Sequence, residues 1–288
     1  HTRFADYRHY LGPLAVVSGR ATDAWLAAWW AGCAAIVAPS EALAGEIRAA
    51  LGSRRTPVVR AIPTGIDVAA IAALAEGHPR RLAGWEPGVD IVLVSHGRVA
   101  PEKSVEVLVD AFVLAARRRP RLRLLLVGGG TAEEDVARRA DAAGMAGRVH
   151  VTGRLPRDEA LSLVKACDVF VFASQTETQG LVLCEALAAG VPVAAVDGPG
   201  VTETLHPGVD AIVVPAKPAA TRAERLATAA GTLLGDRRRR DRMATHAREG
   251  ASRFDAVRRV AEVAELYAEV LTARAAKVAA NEAPTTMP

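Results

Sequence analysis

From residue 90 onward the chain repeats one pattern: a short apolar run, a loop of small residues, then a longer amphipathic segment. The runs predict strands at Ile91 to Val94, Leu122 to Val127, Val149 to Val151, Val169 to Phe172, Val193 to Val196 and Ala211 to Val214. Most are continuously apolar, which suits strands buried on both faces. The segments between most of them, such as Ser104 to Arg118 and Thr131 to Ala143, predict helices. Strands alternating with helices give a parallel sheet with right-handed crossovers. The expected class is therefore α/β, with a doubly wound domain over residues 89–252. Such folds bind ligands outside the carboxyl ends of the strands, so the loops after the apolar runs are the places to search.

Residues 1–88 read differently. Helices are expected near 3–11 and 21–32, a buried strand at 34–38, a helix N-capped by Ser40, and a strand from Val58 to Ile62 that leads into Pro63-Thr64-Gly65-Ile66-Asp67. Two strands are few for a domain of ~100–150 residues, so this part is expected to be the second half of a domain whose beginning precedes His1. Residues 77–89, rich in Gly and Pro, read as an interdomain linker. A last helix is expected over 253–280, crossing back to the first domain. Its apolar face comprises Val260, Val263, Ala264, Tyr267, Val270 and Leu271 and must pack on something. The polar tail 281–288 is expected to be disordered.

Composition narrows the picture modestly. Half of the 288 residues are hydrophobic and 24% are charged, which is ordinary for a globular protein. The net charge is +4, a mild basic excess carried almost entirely by arginine. The runs Arg117 to Arg123 and Arg237 to Arg242 read as solvated helix ends, with contact to anionic lipid as the second reading. They lack the interleaved aromatics of a nucleic-acid binder. Cys33, Cys167 and Cys184 show no metal or redox spacing, and a reducing, cytoplasmic compartment is expected. Residues 24–40 carry no charge and include Trp25, Trp29 and Trp30. The run falls short of the ~20 residues a membrane span needs and is interrupted by Gly32 and Pro39. An interfacial patch is the rival reading, since Trp favours the headgroup region.

Three loops carry candidate chemistry. In Gly97-Arg98-Val99-Ala100-Pro101-Glu102-Lys103-Ser104, two cations sit on a loop entering a helix. Arg98 can grip a phosphate in bidentate fashion, Lys103 adds a point charge, and the helix start offers N–H groups. Val127-Gly128-Gly129-Gly130-Thr131 resembles half a dinucleotide fingerprint, but Glu133 stands at the third glycine position. A tight turn with close packing is the favoured reading there, and a dinucleotide oxidoreductase the disfavoured one. Third comes Glu177-Thr178-Gln179-Gly180-Leu181, followed by Glu185 inside an apolar helix. A buried acidic residue needs a partner, and a ribose diol would provide one for Glu185. Glu177 can accept hydrogen bonds from sugar hydroxyls. Arg154 and Leu155 follow the third strand and can border a base.

On these motifs the chain resembles glycosyltransferase family 4, the retaining enzymes of the GT-B fold. Glu177-x7-Glu185 with Gly180 and Gly190-Val191-Pro192-Val193 is similar to the family's central signature, and Gly97-Arg98-x4-Lys103 to its diphosphate loop. Ala38-Pro39-Ser40 and Pro63 to Asp67 are similar to two segments of its N-terminal domain. The resemblance implies a complete C-terminal and a partial N-terminal Rossmann-like domain. It implies that Arg98 and Lys103 hold the donor diphosphate, Glu185 the ribose, and Glu177 with the backbone of Thr178, Gln179, Gly180 and Leu181 the donor sugar. The backbone around Arg154 and Leu155 would contact the base, and His1 would lie near the transferred sugar. The donor is a nucleotide diphosphate sugar, and no metal or other cofactor is needed. The wording Thr-Glu-Thr-Gln-Gly and the opening His1 to Tyr10 look most like glucosyltransferases acting on diacylglycerol, which implies UDP-glucose, a lipid acceptor and peripheral membrane contact. A mannosyltransferase using GDP-mannose and a truncated, non-catalytic binding module are the alternatives. Ala256, where the family often has Trp, implies a packing change only.

Overall fold

The computed structural model describes residues 15–52, 57–86 and 91–282. The chain divides into two compact units, His1–Gly65 with Ala256–Pro288, and Ile66–Asp255. The expected helix at 3–11, His1 and most of the tail lie outside the described residues.

The smaller unit holds α1 (Ala15–Ala31), β1 (Ala35–Ala38), α2 (Glu41–Leu51), β2 (Val58–Ala61) and the final helix α12 (Ala256–Glu282). β1 and β2 pair in parallel, with Ala35 opposite Val58. Ser40 caps α2 as expected, its hydroxyl accepting from Leu43 N at 3.3 Å. Ala38, Ala44, Ile47 and Leu51 form a small core, with Trp30 and Val59 against it. The strand at β1 is not buried as expected: Ala38 is covered, but Val37 is 43% exposed. In α12 the expected apolar stripe is also displaced. Leu266 is buried and Val263 and Val270 are half-buried, whereas Val260, Tyr267 and Leu271 are exposed. Val260, Tyr267 and Leu271 each follow a member of the line 259–263–266–270 by one residue, about 100° of helical rotation, and so face away from it. The packed stripe also carries polar residues, so hydrophobicity alone does not mark it. Arg60 on β2 donates to both oxygens of Glu269 on α12, at 3.1 and 2.8 Å. Ala256 lies against Gly65 so closely that a β-carbon there would stand 2.4 Å from the Ala256 Cα.

The larger unit adds α3 (Val68–Ala73), α4 (Pro79–Leu82), β3 (Ile91–His96), α5 (Val105–Ala116), β4 (Leu122–Val127), α6 (Glu133–Ala142), β5 (Val149–Val151) and α7 (Arg157–Lys165). β6 (Val169–Phe172), α8 (Leu181–Ala188), β7 (Val193–Val196), α9 (Val201–Thr204), β8 (Ala211–Val214), α10 (Arg222–Gly235) and α11 (Arg237–Ala251) complete it. Six strands form one parallel sheet in the order β5-β4-β3-β6-β7-β8. Their side chains divide between two cores, because successive residues of a strand point to opposite faces. Val92, Val94, Leu125, Phe170 and Phe172 enter one core with α7 and α8. Leu93, Leu124, Leu126, Val169 and Val171 enter the other with α5 and α10. This double burial explains why the strands read as unbroken apolar runs.

Residues 66–86 belong with this larger unit rather than with the smaller one. Ile66, Ile71 and Trp85 are buried in its first core. Gly77 N donates to Ser162 O at 2.8 Å, Lys165 Nζ to Leu74 O at 2.7 Å, and Trp85 Nε1 to Gly147 O at 3.1 Å. The segment expected to be a linker from 77 is thus a packed strap wherever it is described. Its Gly and Pro content serves tight turns, and the chain changes units at Gly65–Ile66 and Asp255–Ala256 instead.

Candidate functional site

The strand order reverses at the middle of the sheet. β4 and β5 lie beyond β3 on one side, and β7 and β8 lie beyond β6 on the other. The loops leaving β3 and β6 therefore splay apart and open a crevice at their carboxyl ends, the place where doubly wound folds hold ligands. These are the loops 97–104 and 173–180, two of the three singled out above. Ser174 Oγ and Thr176 Oγ1 donate to Glu102 O at 3.5 and 3.1 Å, fastening the second loop to the first.

The third loop has a structural role. A β-carbon on Gly128 would stand 2.0 Å from Gly97 O, and one on Gly130 2.3 Å from Val99 O. Val99 N donates to Gly129 O at 3.2 Å and Ala132 N to Val99 O at 3.0 Å. The glycines thus let the turn after β4 zip against the loop after β3. Glu133 Oε1 accepts from Gly130 N at 2.7 Å. A carboxylate already takes the amide that a dinucleotide phosphate would need, which argues against the oxidoreductase reading.

The expected site residues fall into three charge pairs. Lys103 Nζ lies 2.5 Å from Glu177 Oε1, with side chains 25% and 15% exposed. Arg98 reaches Glu102 at 3.2 Å; the arginine side chain is half-exposed and the carboxylate is buried. Glu185 receives Arg157 Nη2 at 2.9 Å on one oxygen and has His96 Nδ1 3.5 Å from the other. Burial would raise the Glu185 pKa, but the His96 ring and the Arg157 guanidinium outweigh it and hold the carboxyl below its usual value. Glu185 is thus an ionised acceptor one turn into α8, with Leu183, Cys184, Ala186 and Leu187 buried around it. Gly180 starts α8 in the left-handed region at φ 79°, where a side chain is strained. The N–H groups of Gly180 and Leu181 have no protein acceptor among the described residues. Thr178 and Gln179 are buried, and Leu181 is exposed.

Arg154 is exposed and Leu155 half-buried against the first core, just after the Gly128–Gly153 bridge that joins the loops of β4 and β5. His96, Glu102 and Arg157 were not singled out in the sequence. His96 immediately precedes the Gly97 loop, a signal available in hindsight. Arg157 lies 28 residues before Glu185, and only the fold joins them. Among the described residues there is no group of three or more His, Cys, Asp or Glu placed to hold a metal ion. Cys167 and Cys184 are buried free thiols, with burial raising both pKa values, Cys184 to about 12. No helix among the described residues is long and apolar enough to cross a membrane.

Residues 85–250 match the family described as Glycosyl transferases group 1. The chain is 28% identical over 205 residues to an alpha-monoglucosyldiacylglycerol synthase of Streptococcus pneumoniae, covering 69% of this chain and 45% of that protein. It is 31% identical over 217 residues to a D-inositol 3-phosphate glycosyltransferase of Nocardia farcinica, covering 73% and 47%. It is 32% identical over 197 residues to a GDP-mannose-dependent phosphatidylinositol monomannoside mannosyltransferase of Mycolicibacterium smegmatis, covering 66% and 50%. The chain thus spans about half the length of these relatives. Among solved structures, Anabaena HepE in complex with UDP and glucose superposes with a TM-score of 0.70 at 23% identity, over 82% of this chain and 64% of that one. A sucrose-phosphate synthase from Thermosynechococcus elongatus superposes with 0.69 at 23% identity, over 86% and 61%. These two likenesses support the α/β fold with parallel sheets.

Proposed function

Because this chain belongs to the Glycosyl transferases group 1 family, we propose that the crevice between the β3 and β6 loops binds a nucleotide diphosphate sugar and that the protein transfers its hexose to an acceptor hydroxyl with retention. The Lys103–Glu177 pair at the reversal of strand order carries this reading. Lys103 and Arg98 meet the diphosphate, each exchanging its carboxylate for phosphate oxygens. The N–H groups at the start of α8, which have no protein acceptor among the described residues, add partial positive charge. Charge grows on the diphosphate oxygen as its bond to the sugar breaks, and a preorganised ring of donors stabilises that growth. Glu177, released from Lys103, accepts from sugar hydroxyls. Glu185 accepts from the ribose diol, ionised and aimed by Arg157 and His96. No side chain is assigned as a covalent nucleophile, and no metal is assigned a step.

The favoured donor is UDP-glucose and the favoured acceptor a membrane lipid such as diacylglycerol, supported by the likeness to the diacylglycerol glucoside synthase. Trp25 and Trp29, 64% and 61% exposed in an uncharged stretch, support peripheral contact with an anionic membrane on its cytoplasmic face. The likeness to the mannosyltransferase supports GDP-mannose as the second donor reading. A panel of UDP-glucose, UDP-galactose, UDP-GlcNAc and GDP-mannose, read by thermal shift beside a radiolabelled transfer assay to lipid vesicles, tests both. UDP-glucose should stabilise most. Stabilisation by GDP-mannose alone selects the second reading, binding without transfer selects a non-catalytic module, and no response to any of the four refutes the donor site.

A further inference from the structure

The Gln179–Gly180 peptide is held from beneath by residues that the donor site as described does not use. Thr204, at the end of α9, is 1% exposed, and its hydroxyl donates to Gln179 O at 2.6 Å. The Thr204 carbonyl accepts in turn from Arg253 Nη2 at 2.5 Å. Arg253 also reaches Asp210 Oδ2 at 3.3 Å, and the other Asp210 oxygen accepts from His206 N at 2.7 Å. Asp210 is as deeply buried as Thr204. Below the same peptide, Gly200 approaches so closely that a β-carbon there would stand 2.8 Å from Gln179 Cα and 2.9 Å from Gln179 N. Thr204 and Gly200 thus meet this peptide directly, and Arg253, Asp210 and His206 hold Thr204 from behind.

We propose that Thr204 is a positioning residue for the diphosphate of the donor, anchored by the Asp210–Arg253 ion pair. The physical link is the planarity of the peptide bond: in a trans peptide the C=O and the following N–H point in opposite directions. A hydroxyl that fixes Gln179 O therefore fixes the direction of the Gly180 N–H. That N–H and the Leu181 N–H have no protein acceptor among the described residues and stand where the β6 loop enters α8. Gly180, at φ 79°, has backbone freedom that a side chain would restrict, so without a grip on its preceding carbonyl the peptide can rotate. The brace converts a flexible glycine into an aimed donor. It rests on the donor-site reading above for the identity of the anion.

The test compares Thr204→Val, which keeps the shape and removes the hydroxyl, with Thr204→Ser, which keeps the hydroxyl. UDP and uridine are titrated against each protein, and amide hydrogen exchange is followed at residues 179–182. Thr204→Val should bind UDP about tenfold more weakly, the scale of one hydrogen bond. Its uridine binding should be unchanged and exchange at Gly180 and Leu181 faster, and Thr204→Ser should behave as wild type. A loss of packing alone would weaken both ligands together. If Thr204→Val does not fold, Asp210→Asn, which keeps the shape and loosens Arg253, must give the same pattern. A folded variant with wild-type UDP affinity and wild-type exchange overturns the brace, as does a serine variant that loses as much as valine. If the wild type binds no UDP at all, the donor-site reading fails and the positioning role falls with it. The exchange rates then still show separately whether Thr204 orders the loop.

Discussion

Replacing Lys103 with alanine probes the donor reading through a contact whose geometry is explicit. Lys103 Nζ sits 2.5 Å from Glu177, and the Glu177 side chain is 15% exposed. Removing the ammonium leaves a largely buried carboxylate without this cation, at a cost of about 1–3 kcal/mol in stability. The effect on nucleotide binding has two parts. A charge-assisted hydrogen bond to the diphosphate is lost, worth about 1.5–3 kcal/mol. The uncompensated Glu177 then also repels the incoming anion, in a site of lower dielectric than water. UDP affinity should fall at least about tenfold, and turnover by about 10²–10³ if the lysine also meets charge that develops in the transition state. Isothermal titration with UDP measures the first quantity, with a thermal melt to confirm folding. A Glu177→Gln change in the Lys103→Ala background should restore part of the UDP affinity, because it removes the repulsion but not the missing donor. A folded Lys103→Ala protein that binds UDP within twofold of wild type would refute the reasoning.

Other outcomes follow from the same structure. The Glu185 pKa lies below its ordinary value of 4.5, so Glu185 stabilises the fold above that pH. The contribution is lost as pH falls through the lower folded-state value, and the wild-type minus Glu185→Gln difference in Tm should shrink on acidification below about pH 4.5; a difference independent of pH down to 3 would contradict the assignment. Trp85→Ala should destabilise the larger unit by about 3–5 kcal/mol in denaturant melts, because the ring is buried and its N–H is bonded to Gly147 O. A linker residue would cost almost nothing. Gly128→Ala should weaken UDP binding without touching the ligand, because its methyl would displace Gly97 O; titration against a Gly147→Ala control, where a β-carbon meets nothing, checks this.

The strands were legible because burial on both faces forces unbroken apolar runs. Five of the six predicted runs in the larger unit coincide with observed strands at both ends, and β3 extends two residues further, to His96. The functional loops were legible because the parallel fold puts them at strand carboxyl ends. What escaped was whatever depends on distant partners. Arg157 and His96 meet Glu185, and Thr204 meets Gln179, only through the sheet order, which no local spacing encodes. Trp85 reads as linker because residues 77–89 are rich in Gly and Pro, yet its large side chain, with that of Ile71, is what binds the strap to the core. In α12 the apolar residues outnumber those that pack, so periodicity selected a stripe one position off.

The central claim is that a nucleotide diphosphate sits between the β3 and β6 loops. Mapping amide chemical shifts during a UDP titration tests it most directly. The account predicts that the perturbed amides cluster at residues 97–103 and 177–185, with Gly180 and Leu181 among the largest, and that Lys103→Ala weakens the whole set together. Perturbations centred elsewhere, or none at millimolar UDP, would contradict it.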